Sequence, residues 1–455
     1  MYALIMLVLA VLATPPASTF YVAPTGTAAG NGSLAHPWDL ATALAGARGT
    51  IQPGDTVWLT NGRYTGSFHT QLQGAPDRPI VFRQAPGARA TIDGTLFAQG
   101  ADLVFWGFEI MQSHPLTGTY GLQAQTNRGR FINLIIHDAG SMGVSFWTPG
   151  ENAELYGCVI YNNGTHENLD HGVYVHNERG LKRITDNVFF NNLAYGIHAY
   201  AGPRNAPQQG IAIQGNVTFN NGTISQRYRA KGNILVGGDV PMSGIDVSSN
   251  YLFYSGTAGV NLRLGYAPVA NGDVTARGNY IWGGETGIRL GQWARTQLDG
   301  NTVGGARTPL ADAALPLTHV NLLLEARGPN APAVFVRPNT YEHGRAFIVV
   351  YNFPGHASVK ADVSGVLNPG ESYELRSVQD VFGVPLARES YAGDSISVPM
   401  TASGVTPAKP LGRTTAAPPV TRPLFDVFLL TVSGGGGGTR RSPAGSGATA
   451  LTGTR

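Results

Sequence analysis

One cysteine, Cys158, and four lysines, Lys182, Lys231, Lys360 and Lys409, in 455 residues set the first limits on this chain. A lone cysteine excludes an intramolecular disulfide framework. So few lysines leave amine chemistry few candidates, and two of the four lie beyond residue 308. Charged residues make up only 13% of the chain, and the formal net charge of +3 is misleading. Residues 401–455 carry Lys409, Arg413, Arg422, Arg440, Arg441 and Arg455 against Asp426, a contribution of +5, which leaves the body at −2. A near-neutral body offers no basic stripe for nucleic acid. Long apolar runs are also missing. Residues 3–13 form the longest, which is too short to span a bilayer. Between residues 80 and 306 no helical spacing of apolar residues is sustained over three turns, so leucine-rich and helical repeats fit poorly.

What is abundant is glycine, 61 residues of it, set among short β-branched and aromatic runs. Between Gly121 and Asn301 a pattern recurs seven times: a Gly, an alternating apolar/polar run, a loop, then an apolar run opening on Asn. Gly172-Val173-Tyr174-Val175-His176 with Asn187-Val188-Phe189-Phe190 is one copy, and Gly196-Ile197-His198-Ala199-Tyr200 with Asn216-Val217-Thr218-Phe219 is another. The Asn-type positions fall at Asn133, Cys158, Asn187, Asn216, Asn250, Asn279 and Asn301, with differences of 25, 29, 29, 34, 29 and 22 residues. Strand pieces are constant and loops vary, which means one supersecondary unit stacked along an axis. Asparagine repeated at one turn position can form a ladder in which each amide bonds the next. Cys158 occupies a rung of that series and reads as a buried small hydrophobe.

The segments Asp170-His171-Gly172-Val173-Tyr174-Val175-His176-Asn177, Lys182-Arg183-Ile184-Thr185-Asp186-Asn187 and Tyr195-Gly196-Ile197-His198-Ala199-Tyr200 resemble secreted bacterial right-handed parallel β-helix repeat proteins of the pectate-lyase-like superfold. Phe20-Tyr21-Val22-Ala23-Pro24-Thr25-Gly26 and Pro53-Gly54-Asp55-Thr56-Val57-Trp58-Leu59 look like the entry of such a helix. The resemblance covers residues 20–308 and implies the fold. It does not imply one reaction, because the superfold hosts lyases, hydrolases, epimerases and adhesins.

The fold expected is therefore all-β: a right-handed parallel β-helix over 19–308, then a small antiparallel β-sandwich-like domain over 309–431. Residues 1–18 read as a secretory signal peptide cleaved near Ala17, although no Lys or Arg precedes the apolar run. Export to the extracellular space or periplasm follows. Pro37–Ala45 reads as a short helix with Pro in its first turn and Leu40 and Leu44 on one face, placed to plug the open end of the solenoid. After Pro309 alternating runs such as Ala346–Tyr351 and Tyr373–Leu375 replace the Gly/Asn cadence. A Pro-rich linker over 402–423 leads to a last strand near Leu424–Leu430, and 432–455 reads as a disordered Gly-rich tail. The protein is expected to be a monomer with no membrane span.

Strand alternation assigns directions in the repeated run. The residues one and three after the Gly point inward, and those two and four after it point out. The second positions read Gln123, Ser145, Tyr174, His198, Asn261 and Arg289; the fourth read Gln125, Trp147, His176, Tyr200 and Arg263, with Gly291 last. Seven coils at about 4.8 Å make a face roughly 34 Å long. Aromatic faces stack on pyranose rings and arginine forks read carboxylates or sulfates, so the face suits an acidic, uronate-containing polysaccharide. The alternative is that these side chains simply ladder with their neighbours.

Three functions compete. A β-eliminating lyase needs a neutralised uronate carboxylate, a base and an acid for the leaving oxygen. His198 or His171 would be the base and Tyr174 or Tyr200 the acid. Gln125, Trp147, His176, Lys182, Arg263 and Arg289 would bind substrate, with Arg263 or Arg289 neutralising the carboxylate. The Lys/Arg/calcium constellation of chondroitinase B-like and alginate-lyase-like members of the superfold is not recognisable residue by residue, and Gly287-Ile288-Arg289-Leu290-Gly291 matches it only loosely. A glycoside hydrolase would need two flanking carboxyls, drawn from Asp138, Glu167, Asp170 and Glu178. Asp170 and His171 also fit as turn residues. Glu167 and Asp170 are the acids that could hold calcium, the one cofactor considered. The third reading is a glycan-binding solenoid or adhesin that uses the same face without turnover.

Overall fold

The computed structural model describes residues 16–227, 231–266, 268–311, 322–323, 328–401 and 403–433. Most of the expected signal peptide and the Gly-rich tail from residue 434 lie outside them. Among the described residues the chain is a parallel β-helix with three strand faces. One is an eleven-stranded sheet that begins at Thr19–Val22 and Thr56–Leu59 and ends at Trp293–Asp299. Two further columns of strands are joined into a nineteen-stranded sheet through the long strands Gly62–Thr70 and Ala90–Ala98. One column runs through Val159–Tyr161, Val188–Phe190, Val217–Phe219 and Tyr251–Phe253. The other runs through Val144–Phe146, Val173–Val175, Tyr195–Ala199, Gly232–Val236, Val260–Leu264 and Thr286–Leu290. Inward side chains stack coil on coil, as in Phe82–Phe105–Phe131 at 5.6 and 5.5 Å.

The Asn series is a ladder. Asn187, Asn216, Asn250, Asn279 and Asn301 are buried, and the side-chain oxygens of the last four each accept from the previous rung's backbone N–H at 3.0 Å. The Nδ2 groups donate down the same column, as from Asn187 to Asn216 at 3.0 Å. Cys158 holds the first rung, and its N–H donates to Asn187 Oδ1 at 2.9 Å. Asn133 is not a rung. It stands one residue earlier than the rung position, at φ 53°, and its side chain bonds Glu342 and Asn339 of the C-terminal domain.

A second ladder runs through Asn163, Asn192, Asn221, Asn233 and Asn261. It accounts for the repeated glycine. A Cβ added at Gly143, Gly172 or Gly196 would fall 2.6, 2.8 or 2.6 Å from the amide of Asn163, Asn192 or Asn221. The strand must therefore be bare where the amide column passes. In the next coils the ladder moves onto the strand itself, and Asn233 and Asn261 stand in register with Gly196.

The capping helix is shorter than expected, Leu40–Leu44, with Asp39 as its N-cap accepting from Thr42 N–H at 2.8 Å. Pro37 precedes it rather than sitting in its first turn, and Leu40 and Leu44 close the core. The C-terminal residues form a five-stranded antiparallel sheet in the order Ala333–Pro338, Arg345–Tyr351, Phe425–Val432, Ser372–Ser377, Ala387–Ser390. A two-stranded ribbon, Ser358–Ala361 with Ile396–Pro399, accompanies it. One face of the larger sheet, with Phe347, Val349, Tyr351, Phe425 and Val427, packs on the outward row Tyr161, Phe190, Phe219 and Phe253 of the helix. That apolar outer row needs this cover, since burial of large aromatic side chains contributes about 1.5–3 kcal/mol each.

Candidate functional site

The other column of the nineteen-stranded sheet carries the outward rows of interest. Strand register aligns Phe97, Gln123, Ser145, Tyr174, His198, Leu235, Arg263 and Arg289 in one row. Beside it run Gln99, Gln125, Trp147, His176 and Tyr200. The rows differ from the sequence reading at one point. Asn261 belongs to the buried ladder, so Arg263 takes its place above Arg289, and Leu235 fills the coil between His198 and Arg263.

At the middle of these rows the rings form one contiguous cluster. Trp147 stacks on His176 at 5.5 Å and 16°, and meets Tyr174 edge-on at 5.6 Å. Tyr174 stacks on His198 at 5.1 Å, and His198 stacks on Tyr200 at 5.0 Å and 10°. His171 packs against His198 at 4.0 Å, and Tyr195 lies parallel to His198 at 4.8 Å and 3°. The Tyr200 hydroxyl donates to Asp239. Arg263 donates to the carbonyls of Gly265 and Tyr266 at 3.2 and 3.1 Å and lies over the Tyr266 ring.

Burial sets the protonation states. The His198 ring is pushed well below the ordinary histidine value by burial, reinforced by His171, His176 and Lys231. Burial also lowers His171 to about 3, and burial with the Lys182 charge lowers His176 to about 4. All three rings are neutral at pH 7, so each can accept a proton. Burial raises the Tyr174 phenol to about 12, helped by the charge of Asp239, so it stays protonated. Four polar atoms on three successive coils of these rows are buried without a hydrogen-bond partner: Ser145 Oγ, Trp147 Nε1, His176 Nε2 and His198 Nδ1. Buried unpartnered polar atoms are uncommon and each asks for an explanation, a ligand among them.

Not every residue expected at the site reaches it. Lys182 is fully buried inside the helix, where Nζ donates to the carbonyls of His176 at 2.7 Å and Phe146 at 3.1 Å. Substrate binding by Lys182 is thus corrected: its side chain points inward, and Arg183 takes the outward position. His171 is 3% exposed and its Nδ1 accepts from Tyr195 N–H at 3.2 Å. It backs His198 instead of meeting a substrate. Tyr174, His198, Tyr200, Gln125, Trp147, Arg263 and Arg289 stay half-buried on the outer face, and His176 lies buried against Trp147.

The carboxylates considered for hydrolysis are occupied elsewhere. Asp170 takes Ser141 Oγ and the backbone N–H groups of Thr165 and His166, as a turn residue does. Glu167 accepts from the N–H groups of Gln226 and Arg227, and Asp138 pairs with His137 and accepts from Leu411 N–H. Glu178 is half-buried and has no place in the ring cluster. Among the described residues no three His, Cys, Asp or Glu side chains gather as a metal site, and the donors of Glu167 and Asp170 do not fit calcium. Tyr195, Asp239 and Tyr266 join the cluster without having been anticipated. Tyr195 had a readable signal, because it precedes its repeat glycine as His171 does.

Among the described residues no helix is long and apolar enough to cross a membrane. The family model described as "Pel9A-like, right handed beta helix region" matches residues 20–239. No curated protein matches the chain at a significant level. Similar solved structures include pectate lyase Pel9A, at 16% identity over 65% of this chain and 82% of that one, with a TM-score of 0.46. A rhamnogalacturonan lyase matches at 14% identity over 68% and 87%, TM-score 0.45. An alginate lyase from Paenibacillus sp. str. FPU-7 matches at 17% identity over 67% and 97%, TM-score 0.38. With three parallel strand faces and two asparagine columns, the chain is a right-handed parallel β-helix protein, the fold that the matching family model describes over residues 20–239.

Proposed function

We propose that this is a secreted carbohydrate-active enzyme that cleaves an acidic polysaccharide by β-elimination on the outer face that carries His198 and Tyr174. The observation that carries the reading is the set of four unpartnered polar atoms within one aromatic and imidazole cluster, with Arg263 and Arg289 further along the same row. Stacking rings bind sugar faces, and the unpartnered atoms are donors and acceptors for sugar hydroxyls. In the reaction His198 takes the proton beside the uronate carboxylate. The electrons of that C–H bond form a carbon–carbon double bond as the glycosidic C–O bond breaks, and Tyr174 gives its proton to the leaving oxygen. Arg263 lies within electrostatic reach of Tyr195, whose ring lies on His198. It would stabilise the charge that grows on the carboxylate. Proton exchange with solvent resets both groups.

The test is incubation of the purified protein with alginate, polygalacturonate, chondroitin and heparin. Ultraviolet absorbance of the unsaturated product and reducing ends are followed together. Absorbance is expected to rise with wild type and to be lost in His198→Ala and Tyr174→Phe proteins that keep their circular dichroism. Reducing ends without absorbance would indicate hydrolysis, and tight binding with neither would indicate an adhesin. Undiminished turnover in both variants would overturn the site.

A further inference from the structure

The two outer rows change chemistry from one end of the solenoid to the other. At the N-terminal end they are neutral amides and rings. Gln71 donates to Gln99 at 3.0 Å, Gln99 donates to Gln125 at 3.3 Å, and His69 stacks on Phe97 at 4.9 Å. The middle is the ring cluster built on His198. Beyond Leu235 the row turns cationic with Arg263 and Arg289, and Lys231 lies close enough for Arg263 to depress its ammonium further after burial has done so. Arg263 stands two coils from His198 and Arg289 three, about 10 and 14 Å along the axis at 4.8 Å per coil. Gln123 stands three coils away on the other side, about 14 Å along the axis.

This polarity is not what a solenoid needs for its own stability. Amide and aromatic ladders between coils are self-satisfying, whereas like charges opposite each other on neighbouring strands repel. Arg263 and Arg289 are direct register partners. Two guanidinium charges held in register attract carboxylates or sulfates, with the Nε and Nη2 donors of Arg263 already given to the carbonyls of Gly265 and Tyr266. The amide end offers hydroxyl-matching donors and acceptors and no fixed charge.

We propose that the face recognises acidic groups on one side of the His198 cluster only. The substrate is then a polysaccharide whose carboxylates or sulfates are required at the Arg263/Arg289 end, while the Gln71–Gln99–Gln125 end binds sugar by its hydroxyls. This rests on the glycan-cleaving reading for its ligand class. It is tested by binding rather than turnover, so the two can fail separately.

The experiment titrates the full protein with galacturonate trimers and hexamers, following tryptophan fluorescence over a range of sodium chloride concentrations. The hexamer is expected to bind more tightly than the trimer with the same salt dependence, because the added sugars reach the neutral end. Arg263→Gln and Arg289→Gln, checked for unchanged melting, are each expected to weaken binding about tenfold or more at low salt. That loss is expected to close at high salt. A hexamer salt dependence about twice the trimer's would overturn the proposal, since acid would then be read along the whole face. Wild-type binding by both arginine variants, or no binding of either oligomer, would also overturn it. Binding as expected without any unsaturated product would sink the lyase reading and leave the polarity intact.

Discussion

Replacing Asn216 by leucine is the sharpest test of how the solenoid holds itself together. Asn216 is completely buried at the middle of the first amide column. Its Nδ2 donates to Ile184 O at 2.7 Å and to Asn250 Oδ1 at 3.1 Å. Its Oδ1 accepts from the backbone N–H and the Nδ2 of Asn187, both at 3.0 Å. Leucine has the same branched heavy-atom skeleton with bulkier ends, so no cavity is formed. The cost comes from the partners left behind. Ile184 O and Asn187 N–H are backbone groups in a dry interior, and an unsatisfied buried group costs about 1–3 kcal/mol. Two such groups give roughly 2–6 kcal/mol, a large share of a typical total of about 5–15 kcal/mol. The assay is urea denaturation followed by circular dichroism, with the midpoint shift converted through the slope. Cys158→Asn is the matched control: Cys158 N–H already donates to Asn187 Oδ1, and Sγ sits 3.5 Å from Phe131 O where a longer amide would donate. It is expected to be neutral or stabilising. A loss below about 1 kcal/mol for Asn216→Leu would refute the claim that the amide column, rather than the apolar stack around it, supplies the axial cohesion.

Two further predictions concern pH. Lys182 is held down to about 7 by burial against an ordinary value of 10.5, so the unfolded chain binds more protons between those values and stability should rise across pH 7–10.5. Lys182→Met should flatten that rise in melting temperature, and an unchanged slope would mean the ammonium is not where the structure puts it. Glu109 is buried, and through His137 it joins Asp138, which accepts from Leu411 N–H. Hydrogen bonds from His137, Arg89 and Thr91 outweigh that desolvation and hold it near 2, below its ordinary 4.5. Its stabilisation is therefore complete above pH 4.5 and lost as pH falls toward 2. His137 is raised despite burial, by Asp138 and Glu109, so its share is complete below pH 6.5 and lost as pH rises through the raised value. Protease protection of the 403–423 segment should be greatest between those limits, and Glu109→Gln should remove the acid limb.

The fold was legible because its determinants are periodic. Asn187, Asn216, Asn250 and Asn279 are spaced by one coil and do one job, so spacing alone exposes them. The doublets Asn162-Asn163, Asn191-Asn192 and Asn220-Asn221 carry a second period, and their second members are rungs of the other column. The outer rows were legible only where glycine marked the strand. In the coils at Gly232–Val236 and Val260–Leu264 the ladder asparagine occupies the glycine position, so the marker fails in both and Asn261 reads as facing out. Lys182 misled for a different reason. Its charge suggests the surface, but two carbonyls inside the helix satisfy the ammonium, and sequence cannot show carbonyls. The depressed imidazoles were equally hidden, because they depend on rings from other coils.

The handover from Asn221 to Asn233 has a broader meaning for how such a molecule can change. The two residues are only 12 positions apart, yet they stand on consecutive rungs. The column is thus indexed by height along the axis and not by place in the chain. Whichever stretch of backbone arrives at a given level can deliver the amide. Loops can then lengthen, shorten or trade corners without any rung being lost, and the outer surface is released from the history of the interior. A lineage built this way can redraw what it grips while inheriting its spine unchanged.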